Sequence, residues 1–263
     1  MVLYFMNRKF SFLALILLTQ SLAGSAYAEA NAASPSPILN AFQFYLGATG
    51  GMERMSGKRS DSLNEADAGG DRITTVYVDN RRMFENNPTL SAMTGVLWKI
   101  PSLPVLIGPE LFLGRGATLS SVKDTRLDLV PETRFYTTDF QRKLFYGALV
   151  RLGYQFCTDY LTYLSVGYDR SQFLISRAIT NDQVNQPTTM TQYTKWFNGF
   201  LLGLGLEKKI ASLIVGVDLR MVKYRRRKFV DNMNVPQGIG PGFLSFSVRP
   251  IIYTVGLRLS YQF

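Results

Sequence analysis

The chain has 263 residues, a net charge of +10, 46% hydrophobic and 13% aromatic residues, one cysteine and no histidine. A lone Cys157 rules out an internal disulfide framework, and the absence of imidazole removes the commonest general base and metal ligand near neutral pH. No catalytic residue, cofactor or metal site is therefore expected, and a mean hydropathy of +0.03 is what alternating strands average to.

Residues 1–28 have the pattern of a secretory leader: Arg8 and Lys9, an apolar core over 10–18 too short to span a bilayer, and Ala26-Tyr27-Ala28 before Glu29. Met6 is an alternative start, and a membrane anchor is the competing reading of the apolar run. Removing the leader leaves about 235 residues and a charge of +8. An exported protein does not meet nucleic acid, so the excess charge points to anionic lipid phosphates. Residues 29–38 are expected to be a short periplasmic tail, and 39–263 the folded domain.

Eight segments then alternate apolar with small or polar residues. The first, 42–53, turns Phe42, Phe44, Leu46, Ala48 and Met52 one way and Gln43, Gly47, Thr49, Gly51 and Glu53 the other. Polar residues follow to 87, with 73–78 expected to extend a hairpin beyond the membrane; a ten-strand barrel using that segment is the alternative. The second segment is 90–99 and the third 105–114, where Pro109 predicts a bulge because proline cannot donate to a ladder.

A polar stretch over 117–141 precedes the fourth segment, 144–156. Cys157 falls in the next turn, either as a bystander or in an intermolecular disulfide. Leu164, Val166 and Tyr168 mark the fifth, and Trp196 to Glu207 the sixth after another polar stretch. A tight turn at 208–212 leads to the seventh, where Leu213, Val215, Val217, Leu219 and Met221 oppose Gly216, Asp218 and Arg220. A polar stretch over 225–247 precedes the last segment.

Residues 251–263 alternate Val255, Leu257, Leu259, Tyr261 and Phe263 with Gly256, Arg258, Ser260 and Gln262. A helix is excluded, because at 3.6 residues per turn Arg258 would share a face with Leu257 and Tyr261. The aromatic final residue resembles the C-terminal assembly signal of bacterial outer-membrane barrels, which implies the barrel-assembly machinery as a partner during insertion.

Long and short connections alternate strictly, as in transmembrane barrels. The expected fold is all-β: an eight-stranded antiparallel transmembrane β-barrel with four long surface loops and three short periplasmic turns. Lipid cannot satisfy open backbone groups, so the sheet must close.

Phe44-Tyr45-Leu46-Gly47, Gly153-Tyr154-Gln155-Phe156 and Tyr261-Gln262-Phe263 make residues 42–263 resemble the OmpA-type family of small outer-membrane barrels, which includes the opacity-protein adhesins. The resemblance implies an outer-membrane location, a role in envelope integrity, and adhesion to a host or matrix ligand through the loops. A narrow porin-like or OmpW-like channel is the alternative. Outer-membrane enzymes such as lipid A hydrolases, palmitoyl transferases and proteases rely, as families, on a histidine, so no enzyme is expected.

Glu53, Glu110, Arg151, Asp218, Arg220 and Arg258 are expected inside the barrel, with Asp169, Lys99 and Glu207 as further candidates. Buried charges must pair, so these residues form either a fixed plug or an exchangeable gate. Arg225, Arg226, Arg227 and Lys228, with Lys195, Arg142, Lys143, Arg115 and Arg170 at similar height, suggest lipopolysaccharide contact, because guanidinium forks match phosphate. A solvated loop edge is the plainer reading. Trp98, Tyr154, Tyr160, Tyr261 and Phe263 are expected at the periplasmic interface, and Tyr146, Tyr168, Trp196 and Tyr253 at the outer one.

Overall fold

Side chains that alternate between oil and water build one closed sheet. The computed structural model describes residues 42–66, 72–77, 86–116, 119–129, 132–156, 159–181, 187–233 and 242–263, with side chains over 42–57, 86–116, 138–156, 159–177, 191–230 and 246–263. The leader, the tail and Cys157 lie outside the described residues.

The strands are β1 (Phe42–Ala66), β2 (Arg72–Tyr77), β3 (Asn86–Lys99), β4 (Val105–Gly116), β5 (Leu119–Leu129), β6 (Glu132–Gln155), β7 (Tyr160–Asn181), β8 (Pro187–Ile210), β9 (Leu213–Tyr224), β10 (Arg227–Met233) and β11 (Gly242–Gln262). Eight of them form the wall, in the order β11-β9-β8-β7-β6-β4-β3-β1, and β1 pairs back onto β11 to close it. Closure runs from Tyr45↔Gln262 to Asn64↔Phe243, so no wall strand is left with an unpaired edge along that seam.

β2, β5 and β10 pair with the far ends of β1, β6 and β11. β2 pairs with β1 alone and does not enter the wall, so the ten-strand alternative falls. The stretches expected as polar loops over 117–141 and 225–247 carry paired strands instead. β6 and β8 have 24 residues each, more than twice the roughly 9–11 that cross a bilayer, so the arms continue well beyond the lipid.

At the opposite end the connections are short. Residues 101–104 turn one hairpin, β6 ends at Gln155 only five positions before β7 begins at Tyr160, and Ala211 and Ser212 alone turn the third, tighter than the expected 208–212. Ser102 and Ala211 have φ of 67° and 55° in these turns.

The outer surface is apolar across the middle of the wall: Leu164 is 60% exposed and Leu257 69%. Glu53 and Glu110, on the opposite face, are 0% exposed. Only hydrocarbon makes that inside-out distribution favourable. Val255, Leu257, Leu259, Tyr261 and Phe263 all stand on the outer face and are exposed.

Pro109 causes no bulge. The β3–β4 ladder lapses at residues 96–97 and 108–109 but resumes at Trp98↔Ile107 in the same register, while Pro109↔Val150 continues unbroken on the β6 side. The missing donor is absorbed by a gap in one ladder. The bulge that matters lies in β6, where Arg142↔Phe173 and Phe145↔Ser171 place three steps opposite two.

Candidate functional site

Four layers of side chains fill the barrel, an apolar cluster, two charge clusters and an aromatic layer. At the short-turn end Tyr45, Leu97 and Leu106 form a small apolar cluster with Leu161 packed against it. Beyond it lies a charge cluster centred on Glu110 of β4. Its Oε2 is 2.5 Å from Arg258 Nη2 and 3.6 Å from Arg151 Nη1, and its Oε1 is 3.4 Å from Arg220 Nη2. Tyr45 OH donates to Oε2 at 2.8 Å. Glu207 Oε1 lies 2.7 Å from Arg151 Nη2 and 2.8 Å from Arg258 Nε, and Asp218 pairs with Arg220. Three carboxylates thus face three guanidiniums, which is what allows five of the six to be buried and Arg220 nearly so.

Two tyrosines wall this cluster, each lying over a glycine on the adjacent strand. Tyr45 is the cross-strand partner of Gly95 and Tyr163 of Gly205, and a Cβ at either glycine would clash with the hydroxyl end of the ring. Arg151 stacks 3.7 Å over the Tyr163 ring, and Arg258 lies 5.3 Å over Tyr45. Planar cations thus stack on flat rings, and the glycines make room for the rings.

Angular fit is poorer than distance. Arg151 Nη2 and Arg258 Nε are both within ion-pair range of Glu207 Oε1, yet no hydrogen bond of good geometry reaches any of the three. Their attraction is coulombic without full hydrogen-bond pairing, so the cluster fixes register more than it adds stability.

The second cluster stands toward the long arms. Arg142 Nη1 is 2.7 Å from Glu53 Oε2, its Nη2 is 2.9 Å from Asp169 Oδ2, and its Nε donates to Ser171 Oγ at 3.0 Å. Tyr224 OH and Ser171 Oγ each donate to Asp169 Oδ1 at 2.6 Å. The Arg142 guanidinium also caps the Phe145 ring at 3.8 Å. One guanidinium here serves two carboxylates, and the hydroxyls of Ser171 and Tyr224 make up the deficit.

Around and above this cluster the lumen is apolar. Phe173, Phe197, Tyr224, Phe229 and Phe246 interlock, with Phe229 and Phe246 stacked at 4.8 Å and Phe173 edge-on to Phe197 at 5.0 Å. Arg177, 2% exposed, lies 4.9 Å over Phe246. Between the clusters a cavity of about 20 Å³, lined by Thr49, Ser91, Arg142, Asp169, Asp218 and Arg220, has room for about one water. A recess of about 90 Å³ opens at the short-turn end and reaches Glu207.

Glu53, Glu110, Arg151, Asp218, Arg220, Arg258, Asp169 and Glu207 all face the lumen, Glu53 and Asp169 in one cluster and the other six in the other. Lys99 is exposed at the end of β3 and joins neither. Arg142, expected at the outer rim, is 3% exposed and organises the second cluster. The bulge after it reverses the facing of the strand, and alternation within one strand gives no sign of a bulge. Tyr45 and Tyr163 were missed although their parity already placed them inward.

Arg225, Arg226, Arg227 and Lys228 are exposed, but Arg227 reaches to 5.9 Å over Phe197, a lumen residue, so the four do not form one outward row. Of the interface aromatics, Tyr146 packs edge-on to Trp196 at 5.6 Å and Tyr261 edge-on to Phe263 at 5.2 Å. Among the described residues no cluster of His, Cys, Asp or Glu is spaced to hold a metal ion.

A closed antiparallel wall, oily outside and ion-paired inside, defines a transmembrane β-barrel. No family model and no curated protein matches the sequence. Among solved structures the chain is similar to the outer membrane protein OprG from Pseudomonas aeruginosa, at 15% identity over 85% of this chain and 96% of that one, with a TM-score of 0.45. It is also similar to the outer membrane protease OmpT from Escherichia coli, at 10% identity over 84% and 97%, with a TM-score of 0.38. For the attachment invasion locus protein Ail of Yersinia pestis, solved with the heparin analogue sucrose octasulfate, identity is 8% over 82% and 98%, with a TM-score of 0.33.

Proposed function

We propose that this is a non-enzymatic barrel of the bacterial outer membrane that serves envelope integrity and carries surface-exposed arms able to adhere to a host or matrix ligand. The observation that carries this reading is the filled lumen. Two ion-paired clusters and an aromatic layer lie in series, and a solute would have to displace all three. The long paired arms rise from this rigid base on the side away from the short turns, where binding residues are best held. An OmpA-type or opacity-like affiliation belongs to this proposal and rests on Phe44-Tyr45-Leu46-Gly47, Gly153-Tyr154-Gln155-Phe156 and Tyr261-Gln262-Phe263. Insertion by the barrel-assembly machinery and lipopolysaccharide contact at Arg225, Arg226, Arg227 and Lys228 belong to the same proposal.

Planar-bilayer recording tests it: the purified protein should give no stable unitary openings, and shortening the β7–β8 arm over 178–190 should reduce cell or matrix binding. Steady openings would favour the narrow channel. One observation supports that second reading, namely the imperfect hydrogen bonding at Glu207, beside the recess that opens toward the periplasm.

A further inference from the structure

The wall is not uniformly convex. Across β6, β7, β8, β9 and β11 the lipid-facing surface dips into a groove of about 740 Å³. Val166, Leu202, Leu204, Leu219, Met221 and Val255 line it, all on the outer face. Its floor includes Ser165 and Gly203, which belong to the lumen face, so the floor is only one backbone thick. A Cβ at Gly203 would fall on Ser165 Oγ, so the sheet packs directly against the lumen side chains there.

Three cations stand at the arm end of this groove. Each lies within four residues of a lining side chain on the same strand: Arg170 beyond Val166 on β7, Lys223 beyond Met221 on β9, and Arg249 beyond Tyr253 on β11. All three are exposed, and none pairs with a carboxylate among the described residues. The register brings them together. Arg170 is opposite Asn198 and Lys223 opposite Phe200, on either side of β8, and Lys223 pairs with Ile251, two residues from Arg249. Arg170 is held 5.5 Å over the Trp196 ring, which aims its guanidinium along the outer face.

An apolar groove at bilayer depth with unpaired cations at its outer end is shaped for an amphiphile with the opposite layout. We propose that this face seats one molecule of a phosphorylated, multiply acylated glycolipid of the outer leaflet, with acyl chains in the groove and phosphate on Arg170, Lys223 and Arg249. A convex wall would offer such a lipid contact from one side only, whereas a concave one surrounds it. Guanidinium and ammonium groups beside the headgroup then fix its position. This rests on the proposed outer-membrane location but not on the closed lumen or the adhesive arms.

The test is native mass spectrometry of protein extracted in mild detergent from lipopolysaccharide-bearing cells, with folding confirmed by heat modifiability. Wild type should retain one lipopolysaccharide per chain. The R170S/K223S/R249S variant should lose at least tenfold of it, whereas K99S/K208S/K209S, which removes three exposed cations at the short-turn end, should keep it. Leu204→Trp, which fills the groove with all cations intact, should also lose it. Equal retention by all variants, equal loss by both triple variants, or phospholipid in place of the glycolipid would overturn the proposal. A folded, non-conducting protein without bound lipid would overturn the seat, and with it the lipopolysaccharide contact at Arg225, Arg226, Arg227 and Lys228, while leaving the closed barrel with adhesive arms standing.

Discussion

Arg142 Nη1 lies 2.7 Å from Glu53 Oε2, and the two residues belong to β6 and β1, strands separated in the wall by β4 and β3. The ion pair is therefore a strut across the lumen. Removing the cation leaves Glu53 and Asp169 buried together without a counter-charge. Arg142→Met should cost about 3–5 kcal/mol, the scale for breaking a buried pair. Urea titration of protein in lipid vesicles should show the lower midpoint, and adding Glu53→Gln with Asp169→Asn should recover most of the loss. A lasting deficit in the triple variant would mean that packing, and not charge, is what Arg142 supplies.

How far the sequence reveals the barrel depends on the strand. In β9, Leu213, Val215, Val217 and Leu219 are exposed while Asp218 and Gly216 are buried, so single-strand alternation recovers both faces. In β8, Phe200, Leu201 and Leu202 run together, and only Leu201, at 1% exposure, turns inward. The outer half of the lumen is aromatic, so inside and outside carry the same residue types there and the pattern fades. The arms beyond the lipid are hidden for the opposite reason: with water on the outer face, nothing selects apolar residues. The Glu110 cluster was legible because a charge at inward parity in an apolar strand has nowhere else to go, whereas Arg142 depends on a bulge defined by its partner strand.

Tyr163 covers Gly205, and the fit leaves no room for a methyl group. Gly205→Ala should cost about 1–3 kcal/mol by overpacking. The cost should shrink when Tyr163 is also truncated to alanine, giving a coupling of about 0.5–3 kcal/mol in the double-mutant cycle. Strict additivity would show that the ring moves freely.

Conductance should be insensitive to the first cluster alone. Glu110→Gln removes the hub of three guanidiniums, but Phe173, Phe197, Phe229 and Phe246 still close the lumen beyond it. Bilayer recordings of this variant should stay at the wild-type baseline. Openings should emerge only when Arg142→Ala, Phe197→Ala and Phe229→Ala are added, which removes the second cluster's cation and thins the aromatic layer. Steady current from Glu110→Gln by itself would make the charge cluster the sole barrier.

Ala211 occupies one of the two turn residues between β8 and β9 with φ of 55°, a region that costs an L-residue about 1–2 kcal/mol. Glycine removes that strain and returns about 0.4–1 kcal/mol as unfolded-chain entropy. The net for Ala211→Gly should be a gain of about 0.5–1 kcal/mol in urea midpoint free energy. Ala211→Val should move the midpoint the other way.

The bulge in β6 makes a prediction about deletions. Three residue steps from Arg142 to Phe145 face two from Phe173 to Ser171, so β6 carries one residue more than its partner. Deleting Lys143 would make the count even, and Phe140 and Arg142 would still face the lumen because the reversal and the extra residue cancel. Deleting Ala148, in the regular part of the same strand, instead moves every residue on one side of it to the opposite face. That would put Arg142 into the lipid and Leu144 and Tyr146 into the lumen. The Lys143 deletion should therefore give a heat-modifiable, membrane-inserted barrel, and the Ala148 deletion should not. If both fold, the wall accepts slipped register and the facing of Arg142 is not set by the bulge. If neither folds, Lys143 has a role in the wall beyond its place in the count.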